Sequence, residues 1–327
     1  MRTEEPSTDA DAAPFEWRGL FVSAQRFAQA CVDNYSVRDA PFFFLHAGAS
    51  VELAVKAALC KASPVLLLEG GNRFKDVSLL RLAGLRPTRQ RDEQVFTVGF
   101  ESAIRRLQLL YGDGVLGVGP DGLAALKAAR DVTAHGGQVS ESTGDALFRV
   151  LVTLGTIQNA LAQRLDSTPE EFWGAAWPTV EKALRQRQDD IKQQLAVSYA
   201  AARKRFAERT RDLDEEAIDR LLEQAGDRVN PSKNVMPRQC PVCSGKGLSV
   251  ERPEQRVANR RSGTTVIHGW MATNFTCPVC HLTLESEALV NAAPDFEAWE
   301  SADEHDLLEI WQEDMAALDS HDTEDFT

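Results

Sequence analysis

Two identical tetrapeptides, Cys240-Pro-Val-Cys243 and Cys277-Pro-Val-Cys280, are the residues of this 327-residue chain best suited to chemistry, and that chemistry is metal ligation. A two-residue gap lets both thiolates of a pair reach one ion. Two such pairs complete a tetrahedral four-sulfur shell with no open position, which points to a structural Zn2+ rather than a catalytic one. The competing reading is two disulfides or four free thiols, a pattern that belongs to small secreted frameworks. Thirty-three residues separate Cys243 from Cys277, more than the usual spacing of roughly 15 to 20. The expected module over 236–290 is therefore an elongated zinc ribbon whose pairs are joined by a long hairpin.

A second candidate is Arg130-Asp131-Val132-Thr133-Ala134-His135, followed by Gly136-Gly137. It sets an arginine and a histidine at the predicted end of a helix. On a regular helix the two side chains would lie about 140° apart, so they share a site only if the helix loosens at the glycines or a second subunit contributes. A solvated arginine with a histidine at a helix C-terminus is the plain alternative.

These residues need elements to hold them. Apolar residues recur at helical spacing over 17–34 and 41–62, the second apolar nearly all round and so predicted to be central and buried. Further helices are expected over about 74–83, 98–111, 121–134 and 144–165, with Pro64–Glu69 as a strand or extended linker. Thr168-Pro169-Glu170-Glu171 carries a capping threonine, a proline at the first helical position and a capping-box glutamate. Pro178 is expected to break or kink that helix.

Positions 177, 180, 184, 188, 191, 195, 199, 202 and 206 then repeat at 3, 4, 4 spacing, all apolar but Gln188. This reads as one long helix, either packed along the fold or forming a dimer stalk. Asp212 and Glu215 are expected to cap a short helix ending at Gly226, with 228–237 as linker. Strands are expected over 247–251 and 264–276 with a turn at Ser262-Gly263. The fold class is thus mainly α, with a small β module and an acidic C-terminal helix. Gly112, Gly114 and Gly117 fit a dinucleotide-binding glycine pattern, but they follow a helix and read as an interhelical loop.

The stretch Phe44–Leu59, with Glu52 and Lys56 one turn apart, and the later RDVTAHGG before a final long helix together resemble the HEPN superfamily. The resemblance covers about residues 17–166. It implies a helical bundle that dimerises, bringing two Arg-His motifs into one metal-independent endoribonuclease site. By that resemblance Arg130 holds the scissile phosphate, His135 acts as general acid or base, and Asp131 orients the pair. An imidazole with an unperturbed pKa of about 6.5 suits both proton roles. The leading expectation is a HEPN-type ribonuclease, a toxin or antiviral defence effector, with the ribbon as RNA-binding or partner-binding arm. The rival is a non-catalytic nucleic-acid-binding or sensor protein.

The net charge of −13 is local: residues 295–327 hold thirteen Asp and Glu and no Lys or Arg, leaving the rest balanced. Residues 232–280 carry Lys233, Arg238, Lys246, Arg252, Arg256, Arg260 and Arg261 against Glu251 and Glu254. Arg252, Arg256, Arg260 and Arg261 form a candidate phosphate-facing patch, with Trp270 and Phe275 as candidate stacking groups, although a solvated surface or a packed hairpin explains them equally. The acidic tail is a candidate for binding a protein partner or for covering the ribbon. Residues 1–16 are polar and acidic, expected to be disordered, and lack the apolar core of a leader peptide. No stretch approaches about 18 uncharged apolar residues. A cytoplasmic protein without a membrane partner is expected. Cys31 and Cys60 fall in apolar helical patterns as small buried hydrophobes.

Overall fold

The computed structural model describes residues 16–69, 79–80, 82–83, 97–131, 144–227, 234–258 and 265–293. The chain is mainly helical with one small antiparallel sheet, and it divides into two compact units, Met1–Arg187 and Gln188–Thr327. The expectations for residues 1–15, for the acidic tail and for most of 74–83 lie outside the described residues.

In the first unit α1 (Trp17–Ser36) and α2 (Ala40–Ala62) pack against each other across a tight turn at Arg38, which has φ 58°. Asp39 caps α2 by accepting from the Phe42 amide at 3.4 Å, and Pro41 sits in the first turn. Around α2 lie α3 (Phe100–Tyr111), α4 (Pro120–Asp131) and α5 (Gly144–Arg164). By length and composition α2 could cross a membrane, but 67% of that stretch is buried inside the fold. Its small residues explain the burial: Ala47, Gly48, Ala54, Ala57 and Ala58 let neighbouring helices approach, while Phe43, Val51, Val55 and Leu59 fill the gaps.

Several local expectations change. Pro64–Leu67 is a short 3-10 helix rather than a strand, and only Leu68 pairs, with Thr97. Arg106 explains this, since its guanidinium binds the carbonyls of Leu66 (2.6 Å) and Leu68 (2.7 Å). The glycines at 112, 114 and 117 bracket a 3-10 turn between α3 and α4, as their position after a helix implies. Thr168 and Glu171 form the predicted capping box of α6 (Pro169–Trp173). The break after it is at Gly174, with φ 52°, not at Pro178. Pro178 instead lies in the first turn of α7 (Trp177–Thr210), where a missing amide donor costs nothing.

The apolar stripe of α7 serves two cores in succession. Val180 is buried in the first unit, and Leu195, Tyr199 and Ala202 are buried in the second, while Gln188, the one polar member, is exposed near the boundary. The segment 168–226 is thereby shared between the units. Next comes α8 (Glu215–Asp227), capped by Asp214, which accepts from the Ala217 amide at 2.8 Å, rather than by Asp212.

The sheet of the second unit has the order β1 (Val235–Gln239), β2 (Lys246–Ala258), β3 (Thr265–Thr276), β4 (Thr283–Leu284), all antiparallel, followed by α9 (Glu287–Asn291). The predicted hairpin is β2–β3. The reading of 228–237 as linker is corrected at its end: Pro237 and Arg238 hide a short strand that pairs with β2 from Val235 to Gln239. A register shift between Val250 and Glu251 lies just past Val235, the first residue of β1, where the two-stranded part of β2–β3 starts.

Candidate functional site

Arg130 lies in the last turn of α4, and the segment with His135 comes next, outside the described residues. The guanidinium Nη2 donates to Glu52 Oε2 on α2 at 2.8 Å. On the other oxygen of that carboxylate, Lys56 Nζ donates at 2.7 Å and also reaches Thr97 Oγ1 at 3.1 Å. One carboxylate therefore holds two cations. The cluster is partly sheltered, with side-chain exposures of 18% for Glu52, 12% for Lys56 and 31% for Arg130. Asp131 stands 3.7 Å from Arg130 Nη1, too far for a hydrogen bond. Asp131 thus stands beside Arg130 as an ion pair, while the hydrogen bond that fixes the guanidinium comes from Glu52; the expected role of Asp131 toward His135 lies outside the described residues.

The rest of the arginine is fixed by packing. Its charge sits 5.4 Å from the Phe100 ring centroid, and its stem runs over Gly48. A Cβ at position 48 would lie 2.6 Å from Arg130 Cδ and 2.9 Å from its Cβ, so only glycine allows this approach. Gly48, Glu52 and Lys56 are one stripe of α2 at spacing four. Sequence patterns pair Glu52 with Lys56 but do not mark Gly48 as the arginine's bed, Phe100 as its wall or Thr97 as the lysine's partner. A glycine interrupting an apolar helix one turn before a glutamate is the available signal. On the exposed rim Lys127 pairs with Glu101; the hydrogen bond between them holds the Glu101 carboxyl below its ordinary range and raises the Lys127 ammonium.

The second site is the cysteine cluster. The four sulfurs lie within 4.8 Å of one another and all four residues are buried. Cys240 and Cys280 approach to 3.5 Å and Cys243 and Cys277 to 3.6 Å. An ideal tetrahedral shell with metal–sulfur bonds of about 2.3 Å has edges of about 3.8 Å, so these residues fit a metal ion such as zinc.

The two pairs are built alike. In each, the residue after the second cysteine is left-handed, Ser244 at φ 61° and His281 at φ 54°. In each, the first cysteine's amide bonds the carbonyl five residues on, Cys240 to Gly245 (2.7 Å) and Cys277 to Leu282 (2.8 Å). The Val242 amide points at Cys240 Sγ. Without a bound cation four thiolates could not coexist here. Cys277 is held far below its ordinary range by hydrogen bonds from Cys240, Cys243 and Cys280, while Cys240 and Cys280 are pushed up. His281 is exposed and lies outside the four-sulfur set.

The candidate nucleic-acid residues fare unevenly. Among the cations of 232–280, Arg238 is committed to an internal ion pair: its Nε binds Glu251 at 2.6 Å, and that carboxylate is 3% exposed. Phe275 is fully buried against Gly247 and is not available for stacking. Arg252 and Arg256 lie on β2 opposite Met271 and Ile267, whereas Trp270 pairs with Pro253. Arg260 and Arg261 lie outside the described residues. A cationic stretch that the sequence patterns do not single out is the end of α7, where Arg203, Lys204, Arg205, Arg209 and Arg211 are exposed. Arg209 donates to the carbonyls of Pro278 (3.2 Å) and Val279 (2.9 Å), tying the helix to the second cysteine pair. Compared with known proteins, the chain matches no family model, no curated protein and no solved structure.

Proposed function

We propose that the protein is a metal-independent endoribonuclease of the HEPN type, working as a toxin or antiviral effector, with its four cysteines holding a structural zinc ion. The observation that carries the reading is Arg130: a sheltered guanidinium at a helix end, fixed by Glu52, Phe100 and a glycine bed, five residues before His135. Such a group supplies what phosphoryl chemistry asks of an arginine, a planar donor fixed in advance of the charge it stabilises. His135 would move the proton, taking it from the 2′-hydroxyl or delivering it to the leaving oxygen. Two protomers would bring their motifs together.

The cysteine set fits zinc by ligand type and closed geometry, and its part is to hold the small sheet together. Cleavage of RNA by purified protein in the presence of a divalent-metal chelator, lost with Arg130→Ala and with His135→Ala, tests the reading; undiminished cleavage by both variants rejects it.

One observation favours the non-catalytic alternative. Arg130 already has a carboxylate partner, as a purely structural arginine does. On that reading the cations at the end of α7 and along β2 bind nucleic acid without cutting it, and binding without cleavage is what an assay finds.

A further inference from the structure

We propose that Lys56 is a second substrate-binding cation of this site: Lys56 and Arg130 clamp one phosphodiester group, and Glu52 is the positioning residue that holds both. The inference rests on the ribonuclease reading and adds to it two residues that the Arg-His motif does not contain.

Donors outnumber acceptors in this cluster. An ammonium has three N–H groups, and Lys56 uses two, on Glu52 and Thr97. A guanidinium has five, and among the described residues Arg130 commits only Nη2 to a hydrogen bond. Its Nη1 stands 3.7 Å from Asp131, and that carboxylate is 39% exposed and so screened by water. Among the described residues the two cations share one hydrogen-bonded carboxylate in a partly sheltered setting, and the next anion is the half-exposed Asp131. A phosphodiester carries one negative charge and offers paired oxygens much as a carboxylate does.

The lysine is also costly where it stands. Its side chain is only 12% exposed and reaches over a helical turn to a glutamate, which carries a desolvation cost that a leucine there would avoid. Thr97 fixes the ammonium from a separate segment, beside the bridge that joins it to Leu68. Glu52 thus acts through its partners: it sets the spacing of two donors and touches no substrate atom itself.

The test measures binding of a short 2′-O-methyl RNA, which lacks the free 2′-hydroxyl, as a function of salt. Each phosphate contact removed from a single strand lowers the slope of log K against log salt by about 0.7. Because the two cations share one phosphate, Lys56→Met combined with Arg130→Met is expected to lose that amount and each single variant a part of it, and Lys56→Arg to retain it, with thermal melting confirming that each variant is folded. Glu52→Gln is expected to keep the slope while kcat on cleavable RNA falls at least tenfold. A wild-type slope for Lys56→Met, with Arg130→Met reduced, overturns the clamp and leaves the ribonuclease reading standing. Unchanged kcat for Glu52→Gln removes its positioning role. A wild-type slope for Arg130→Met rejects the parent reading itself. Should Lys56→Met fail to fold, Lys56→Gln gives the same comparison.

Discussion

Arg130 is fixed from three sides, and the side that sequence patterns do not announce is Gly48. Alanine there gains up to about 1 kcal/mol of helix propensity, but its Cβ would overlap the arginine stem. Rotating the side chain relieves Cγ and Cδ but not Arg130 Cβ, which stays 2.9 Å away, so α4 must also shift from α2. Gly48→Ala should therefore lower stability by about 1–3 kcal/mol, while RNA cleavage under folded conditions falls by about 10²-fold, the usual cost of misplacing a catalytic group. Comparing melting with cleavage for that one variant checks it; full activity would show that the bed is not needed.

A second residue-scale expectation concerns pH. Burial raises the Cys31 thiol well above its ordinary range. A raised folded-state pKa gives stability that is whole below the unfolded thiol's value of about 8.5 and declines as pH rises above it. Cys31→Val should therefore flatten the alkaline limb of a stability–pH curve; an unaltered limb would show that Cys31 has no part in it.

At the scale of elements, the ion pair Arg238–Glu251 ties β1 to the point where β2 shifts register, with the Glu251 amide bound to the Asn234 carbonyl at 2.8 Å. Arg238→Ala would strand a carboxylate that is 3% exposed, at a cost of about 3–5 kcal/mol, whereas Arg238→Met with Glu251→Leu should be near neutral. Chemical denaturation monitored by the second unit's signal measures both. Removing a metal held by the four cysteines would act on the same sheet, because all four belong to its buried core. A strong chelator should release one metal ion per chain and unfold β1–β4, leaving the helices of the first unit intact by circular dichroism.

Periodicity decides which of these elements are legible in the sequence. Period 3.6 identifies α1, α2 and α7 nearly to their ends, and the spacing of the cysteines identifies the metal set. β1 is hidden because proline and arginine suppress a strand signal that only pairing with β2 supplies. The break at Gly174 is easily misplaced to Pro178, because a proline in a first turn and one that ends a helix look alike before the cap is known. Within the site, Arg130 is legible from its motif. Its hold on Glu52, 78 residues away, is a tertiary contact that no local pattern encodes.

At the scale of the whole molecule, charge is divided by region. The acidic stretch 295–327 and the exposed cations at the end of α7 belong to the same half of the chain. A tethered polyanion competes with RNA for such cations at high effective concentration. Deleting 295–327 should tighten RNA binding at low salt, with the difference fading as salt screens both partners; equal affinity with and without the tail would exclude competition.

RNA cleavage is proposed to need both the Arg130 guanidinium and the His135 imidazole. The most direct measurement is single-turnover cleavage of a labelled RNA in chelator by wild type, Arg130→Ala and His135→Ala, each shown to be folded. Cleavage by wild type and a loss of at least about 10²-fold in each variant is the predicted result; wild-type rates in both variants would contradict it.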